Sequence, residues 1–266
     1  MKLTVLCDNS ARIDAYYLAE PGVAYLLEDD GAKILFDTGY SDVCVRNAQK
    51  LGIDLTDLTA LVLSHGHNDH TGGMVHLPLQ KGELPLYAHP GVFDHKRYRG
   101  DEIGAPYTLE QAAEKFDLRL SKEPVQLSEH LTFLGQIPRT NDYENQSPVG
   151  ERLVDGQWIP DFLPEDSAIV CRGEEGLTII TGCSHAGINN ITEYAKAVCG
   201  DQRICGIIGG FHMLTVNRQT EETVRWLDKL RPKNLRPCHC TCFHARAAIH
   251  SCVPIGDTCV ADVLEF

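Results

Sequence analysis

The stretch Ser64-His65-Gly66-His67-Asn68-Asp69-His70-Thr71-Gly72-Gly73 places three imidazoles and a carboxylate within six residues. It directly follows Ala60 to Leu63, a short apolar run that reads as a strand. Metal sites need good N or O donors held convergent by a rigid element, and a tight loop after a strand supplies that. In an extended segment His65 and His67 share one side, as two ligands of one ion must. A helix starting near Thr71 turns Asp69 and His70 away from that pair, so the spacing fits two adjacent ions better than one. The glycines allow the backbone angles that such a turn demands. A solvated polar loop rarely concentrates imidazoles in this order.

Outward from this loop the chain alternates strand and helix patterns. Toward the N-terminus, Leu3 to Cys7 reads as a strand. Val23 to Leu27 and Lys33 to Phe36 flank Asp29-Asp30-Gly31, a hairpin turn. Residues 41 to 51 have a helical pattern closed by Gly52. Leu84 to Ala88 returns as a strand. The middle holds a helix over Leu109 to Phe116 and strands around Val125 to Leu127 and Leu131 to Leu134. Gln136 to Pro164 is rich in Pro, Asn, Asp and Gly and reads as a long loop, which in a compact domain is usually functional. The second half repeats the style of the first. Ser167 to Cys171 and Leu177 to Thr181 form another hairpin. Strands at Ile204 to Ile208, Leu235 to Cys238 and Cys259 to Leu264 alternate with helices near 191–198, 221–230 and 243–250. Two such halves predict one α/β domain over residues 1–266, with sheets packed together and helices outside.

Composition narrows the function. The chain has 266 residues, 43% apolar and 23% charged, with a net charge of −13. No Lys/Arg cluster stands ready for a phosphate backbone, which argues against nucleic acid as a partner. No apolar run approaches the roughly 20 residues of a membrane helix, and the N-terminus lacks the features of a signal peptide. These readings predict a cytoplasmic protein. The 11 cysteines are scattered and odd in number, so they read as reduced thiols. Cys7, Cys44 and Cys171 sit in apolar segments as small core residues. Cys238, Cys240 and Cys242 alternate, a poor spacing for structural zinc or an iron–sulfur cluster.

The His-x-His-x-Asp-His segment resembles the signature of the metallo-β-lactamase superfamily, and the order of elements is similar over essentially the whole chain. That likeness implies an αββα sandwich: two mixed sheets face to face with helices on both outer sides. Ile34-Leu35-Phe36-Asp37-Thr38-Gly39 looks like the superfamily's first motif, whose Asp supports the metal loop from behind. Thr181-Gly182-Cys183-Ser184-His185-Ala186-Gly187-Ile188, Gly209-Gly210-Phe211-His212-Met213 and Pro237-Cys238-His239-Cys240-Thr241 resemble one branch, the 7,8-dihydropterin-6-methyl-4-(β-D-ribofuranosyl)aminobenzene-5′-phosphate synthase-like proteins. Gln136-Ile137-Pro138-Arg139 followed by Glu144, and the ending Asp262-Val263-Leu264-Glu265-Phe266, are similar to that branch too.

By this resemblance His65, His67 and His185 hold one ion, and Asp69, His70 and His239 hold the other. Zinc is implied in both places, with iron or manganese as the alternatives. The implied chemistry is a metal-dependent hydrolase whose metal-bound hydroxide attacks a small molecule bearing an ester, a lactone or a phosphate. Asp69 would orient the nucleophile, Arg139 would contact a substrate anion, and His212 would be a ligand or a substrate contact. The rivals are a condensation that releases pyrophosphate, an iron-dependent oxidoreductase, and a binding protein that keeps its metal. The chain departs from the family twice. Cys183 stands where many members carry a bridging Asp, and a thiolate there could ligate zinc. Glu20-Pro21-Gly22 replaces the branch's Glu-His-Gly, which would alter one wall of the substrate pocket.

Overall fold

Apolar side chains of successive strands alternate between two cores, and that alternation builds the architecture. A computed structural model describes residues 1–78 and 82–266. In the strand Lys2–Cys7, Leu3 and Val5 enter one core while Leu6 and Cys7 enter another. Tyr25 and Leu27 against Leu26, Ile34 and Phe36 against Leu35, and Ala60 and Val62 against Leu61 repeat the pattern. A period of two is what a strand buried on both faces produces. The shared core lies between two sheets, since Leu131, Phe133, Ile169, Cys171, Ile180 and Ile208 enter it from the other side.

The first sheet has seven strands in the spatial order Val263–Glu265, Lys2–Cys7, Ala24–Asp29, Ala32–Phe36, Ala60–Val62, Pro85–Ala88 and Asp117–Leu120. The second has six, in the order Asn234–Cys238, Ile204–Gly210, Gly176–Thr181, Ala168–Gly173, Leu131–Phe133 and Val125–Gln126. Both mix parallel and antiparallel pairs. The helix Val43–Leu51 covers the outside of the first sheet, and the helices Ile188–Cys199, Arg218–Leu230 and Phe243–His250 cover the second. This is the αββα sandwich that the sequence led us to expect. Among the described residues, no helix is long and apolar enough to cross a membrane.

Three details differ from the sequence reading. The helix after the histidine loop spans Asn68–Thr71, with His67 as its N-cap, and passes into a 3-10 turn at Gly72–His76. Asp69 and His70 therefore lie inside its first turn rather than before it. Gln136 to Pro164 is irregular only as far as Gly150. Glu151–Val154 and Gln157–Pro160 then pair as a hairpin around Asp155-Gly156. With Lys96–Tyr98 and Asp101–Glu102 they form a small third sheet of four strands. These strands are short and only partly buried, so they carry little of the apolar alternation by which strands are read. The last strand is Val263–Glu265, shorter than Cys259 to Leu264.

Candidate metal centre

Five strands of the two sheets deliver their following loops to one edge, and those loops carry the chemistry. Asp37 follows Ala32–Phe36, and Ser64 to His70 follow Ala60–Val62. Cys183 and His185 follow Gly176–Thr181, His212 follows Ile204–Gly210, and His239 follows Asn234–Cys238. Asp37, Ser184, His212 and His239 all have left-handed backbones, with φ of 57°, 57°, 45° and 49°. Such conformations cost about 1–3 kcal/mol each in non-glycine residues and gather where function over-determines the chain.

His65, His67 and His185 converge, and their candidate donor atoms lie within 4.8 Å of one another. The Nε2 atoms of all three are buried and, among the described residues, have no hydrogen-bond partner. A buried polar atom left unpaired costs about 1–3 kcal/mol, so three lone pairs facing one another fit a bound cation well. Burial, followed by the mutual proximity of the imidazoles, pushes the pKa values of His65 and His185 far down. Burial takes His67 to about 3. All three are neutral at pH 7, the form that ligates.

Asp69, His70, Cys183 and His239 form a second group, again with donors within 4.8 Å of one another. His70 Nε2 lies 3.2 Å from both Cys183 Sγ and His239 Nε2. Asp69 Oδ2 lies 3.4 Å from His239 Nε2 and 3.6 Å from His70 Nε2. Burial alone would raise the Asp69 carboxyl and lower the His70 imidazolium. The neighbours win in both: His70 and His239 hold Asp69 well below the usual carboxylate range, and Asp69 and Asp37 lift His70 to about 9. A proton on His70 here stands in for a cation. This donor set of carboxylate, imidazole and thiol also fits a divalent ion, and it includes Cys183.

Two of these candidate ligand rings are held from behind, as metal-bound imidazoles usually are. His70 Nδ1 donates to Asp37 Oδ2 at 2.7 Å, and His239 Nδ1 donates to Asn9 Oδ1 at 2.8 Å. The Asn9 contact joins residues 230 positions apart, and no local sequence signal could reveal it. Asp166 is another buried group that the sequence reading passed over. Burial pushes its carboxyl up to about 7, and Oδ1, which has no hydrogen-bond partner among the described residues, lies 4.0 Å from His65 Nδ1. Behind the loop, Lys96 Nζ sits fully buried, 2.7 Å from both Asp161 and Glu165.

His212 belongs to the site without joining either ligand group. Its ring centroid is 4.1 Å from that of His185, and burial, then His239, lowers its pKa to about 4. It lines two hollows that share His185, Leu214 and Val149. The larger is a cleft of about 770 Å³ running out past Tyr143, Ser147 and Arg218. The smaller touches His67, Asp69, Cys183, His239 and Pro21, so Pro21 does form part of a wall.

Arg139 is placed differently from the expectation of a substrate contact. Its guanidinium donates to the carbonyls of Ile137 and Leu163, both at 2.5 Å, and burial lowers its pKa. It lines neither hollow. The two carbonyls that it satisfies come from opposite ends of the loop, so its fork clamps that loop shut. Glu144 is likewise structural. It accepts from Asn189 N and Asn190 N at 2.9 and 3.0 Å, capping the helix Ile188–Cys199. The alternate cysteines diverge. Cys238 contacts Tyr25 Oη at 3.3 Å, Cys240 donates to the Cys183 carbonyl at 3.6 Å, and Cys242 caps the helix Phe243–His250.

A twin-sheet scaffold with an HxHxDH loop and two further candidate ligands, His185 and His239, after later strands defines a class of metal-binding proteins. The chain belongs to the metallo-β-lactamase superfamily, whose family model matches residues 18–232. Among its relatives is the 7,8-dihydropterin-6-methyl-4-(β-D-ribofuranosyl)-aminobenzene-5′-phosphate synthase of Methanocaldococcus jannaschii. The two are 30% identical over 261 residues, covering 92% of this chain and 89% of the relative. An uncharacterised protein of the same organism is 31% identical over 251 residues, covering 91% of both chains. A solved metal-dependent hydrolase of the β-lactamase superfamily superposes with a TM-score of 0.87 at 29% identity, covering 100% of this chain and 99% of the other.

Proposed function

We propose that this protein is a metal-dependent hydrolase of a small molecule, with two zinc ions in adjacent sites. One observation carries the reading: three unpartnered imidazole nitrogens converge beside an Asp–His–Cys–His group at the smaller hollow, which shares His185 and His212 with the larger cleft. Imidazole and thiolate donors suit zinc or iron better than manganese, which prefers oxygen. A zinc pair, when bound, supplies Lewis-acid polarisation of an electrophile and a water acidified to a pKa of about 7.

The chain's own groups do the rest. His65, His67 and His185 present neutral Nε2 donors on one side. Asp69, already anionic, presents a carboxylate on the other and orients the attacking water. His212, kept neutral by burial, faces the cleft and is placed to hydrogen-bond the substrate. The substrate class that fits is an ester, lactone or phosphate-bearing small molecule. The acidic net charge of −13 disfavours nucleic acid. All eleven cysteines are free thiols, which suits a reducing cytoplasm.

Elemental analysis of freshly purified protein, paired with a panel of ester, lactone and phosphodiester substrates, tests this reading. We expect close to two zinc per chain and turnover of at least one class. Metal-free protein, or His67→Ala and His185→Ala variants with unchanged metal content, would sink it. The M. jannaschii relative at 30% identity favours a second reading, condensation with loss of pyrophosphate. Pyrophosphate release from phosphoribosyl pyrophosphate and an aminobenzoate separates the two.

A further inference from the structure

One buried carboxylate reaches a ligand of each group, through different routes. Asp37 Oδ2 accepts directly from His70 Nδ1 at 2.7 Å. The same oxygen accepts from Ser64 Oγ at 2.7 Å, and Ser64 Oγ lies 2.9 Å from His65 Nδ1. Asp37 Oδ1 meanwhile accepts from the Ser64 backbone N–H at 2.7 Å. All four residues are fully buried. A hydroxyl has one proton to give. Ser64 gives it to Asp37, so its oxygen can only accept from His65, and His65 must carry its proton on Nδ1. That leaves His65 Nε2 as a lone pair, and it is one of the unpartnered nitrogens of the three-histidine group. The arrangement is packed to exclude any competitor. A Cβ at Gly182 would run into Ser64 Oγ and lie 2.9 Å from Asp37 Oδ2.

We infer that Ser64 is a positioning residue that relays the hydrogen-bond direction set by Asp37 to His65, so that a single carboxylate sets the donor tautomer of one imidazole in each metal group. Removing the hydroxyl frees His65 to place its proton on either nitrogen and to turn. Outer partners of metal-bound histidines are typically worth 10–100-fold in metal affinity. The effect of Ser64→Ala should therefore fall on the three-histidine group, because His70 keeps its own bond to Asp37.

The inference rests on the metal reading above, and cobalt(II) titration of the full chain, with chelator competition, tests the two separately. Wild type is expected to show two stepwise association constants. Ser64→Ala should weaken one of them at least tenfold and leave the other within about twofold, and Ser64→Thr should restore the first. Uptake of no cobalt by wild type overturns the metal reading and this inference with it. Cobalt uptake with both constants unchanged in Ser64→Ala, equal loss of both, or failure of Thr to rescue overturns the Ser64 role alone. Imidazole nitrogen NMR on the metal-free wild type needs no variant to fold: His65 protonated on Nδ1 supports the relay, and His65 protonated on Nε2 refutes it.

Discussion

The two groups should answer pH differently, and the difference counts the protons that each must shed to take a cation. The three-histidine group is neutral before any ion arrives. His65 and His185 are pushed far below their usual pKa, and His67 to about 3. Between pH 6 and 8 it has no proton to lose, so its affinity should be nearly flat. The mixed group starts from the opposite condition. With His70 lifted to about 9, its ring is protonated over the whole range, and an ion on Nε2 must displace that proton. One displaced proton raises affinity about tenfold per pH unit, or about 1.4 kcal/mol. The sign is fixed: affinity climbs as pH rises, and the part of the climb due to His70 levels off above about 9.

Cys183 doubles the effect if its sulfur ligates. Burial and the nearby Cys240 push this thiol well above its usual value, so it too begins protonated. A thiolate bond would make the count two and the slope about a hundredfold per unit. Calorimetry in buffers of different ionisation enthalpy measures protons released per ion. His67→Ala should leave the mixed group to be read alone, and His239→Ala the three-histidine group. We expect near zero for the latter. For the former we expect about two, falling to about one in Cys183→Ser. Equal proton counts in the two groups would refute the electrostatic reasoning. A count unchanged by Cys183→Ser would remove sulfur from the ligand set.

Other outcomes follow from the packing. Gly182→Ala puts a methyl against Ser64 Oγ and Asp37 Oδ2 and should cost about 1–3 kcal/mol of stability, read as a lowered denaturation midpoint; an unchanged midpoint means the loops move aside. Arg139→Ala should cost about 1–3 kcal/mol by leaving two carbonyls without a donor, with specific activity of the folded fraction retained; loss of activity at full stability would return Arg139 to the substrate. Stripping metal with a chelator should lower the thermal midpoint, and zinc at about 100 times its dissociation constant should restore about 2.7 kcal/mol. Failure of zinc to raise the midpoint argues that neither group binds it.

The site was readable from the residues themselves where they are adjacent in the chain, and only through the family resemblance where they are not. His65, His67, Asp69 and His70 announce themselves by density alone, and strand periodicity foretold both sheets. Register did the remaining work. The parallel pairing of Gly176–Thr181 with Ile204–Gly210, and of that strand with Asn234–Cys238, sets Cys183, His212 and His239 along one edge. No spacing in the sequence encodes that alignment. Arg139 shows the limit of residue type as a guide. An arginine in a functional-looking loop suggests an anion, yet two carbonyls within reach took its fork first.

Ser64 shows the converse. A serine before a histidine says nothing in isolation, because a hydroxyl has no fixed role until its partners are known. Only when Asp37 turns in a left-handed backbone and Gly182 offers no side chain does that hydroxyl acquire one donor and one acceptor direction. The same geometry explains why the two groups can sit so close. Asp37 spends one oxygen on both His70 and Ser64, so the first group is supported by a neutral relay and the second by the charge itself. Asp69 and Asp37 together raise the proton affinity of His70, whereas burial and the neighbouring imidazoles keep His65 neutral. The unequal protonation of the two groups thus follows from the two carboxylates, Asp69 and Asp37, that flank His70, and from the burial of His65 among other imidazoles.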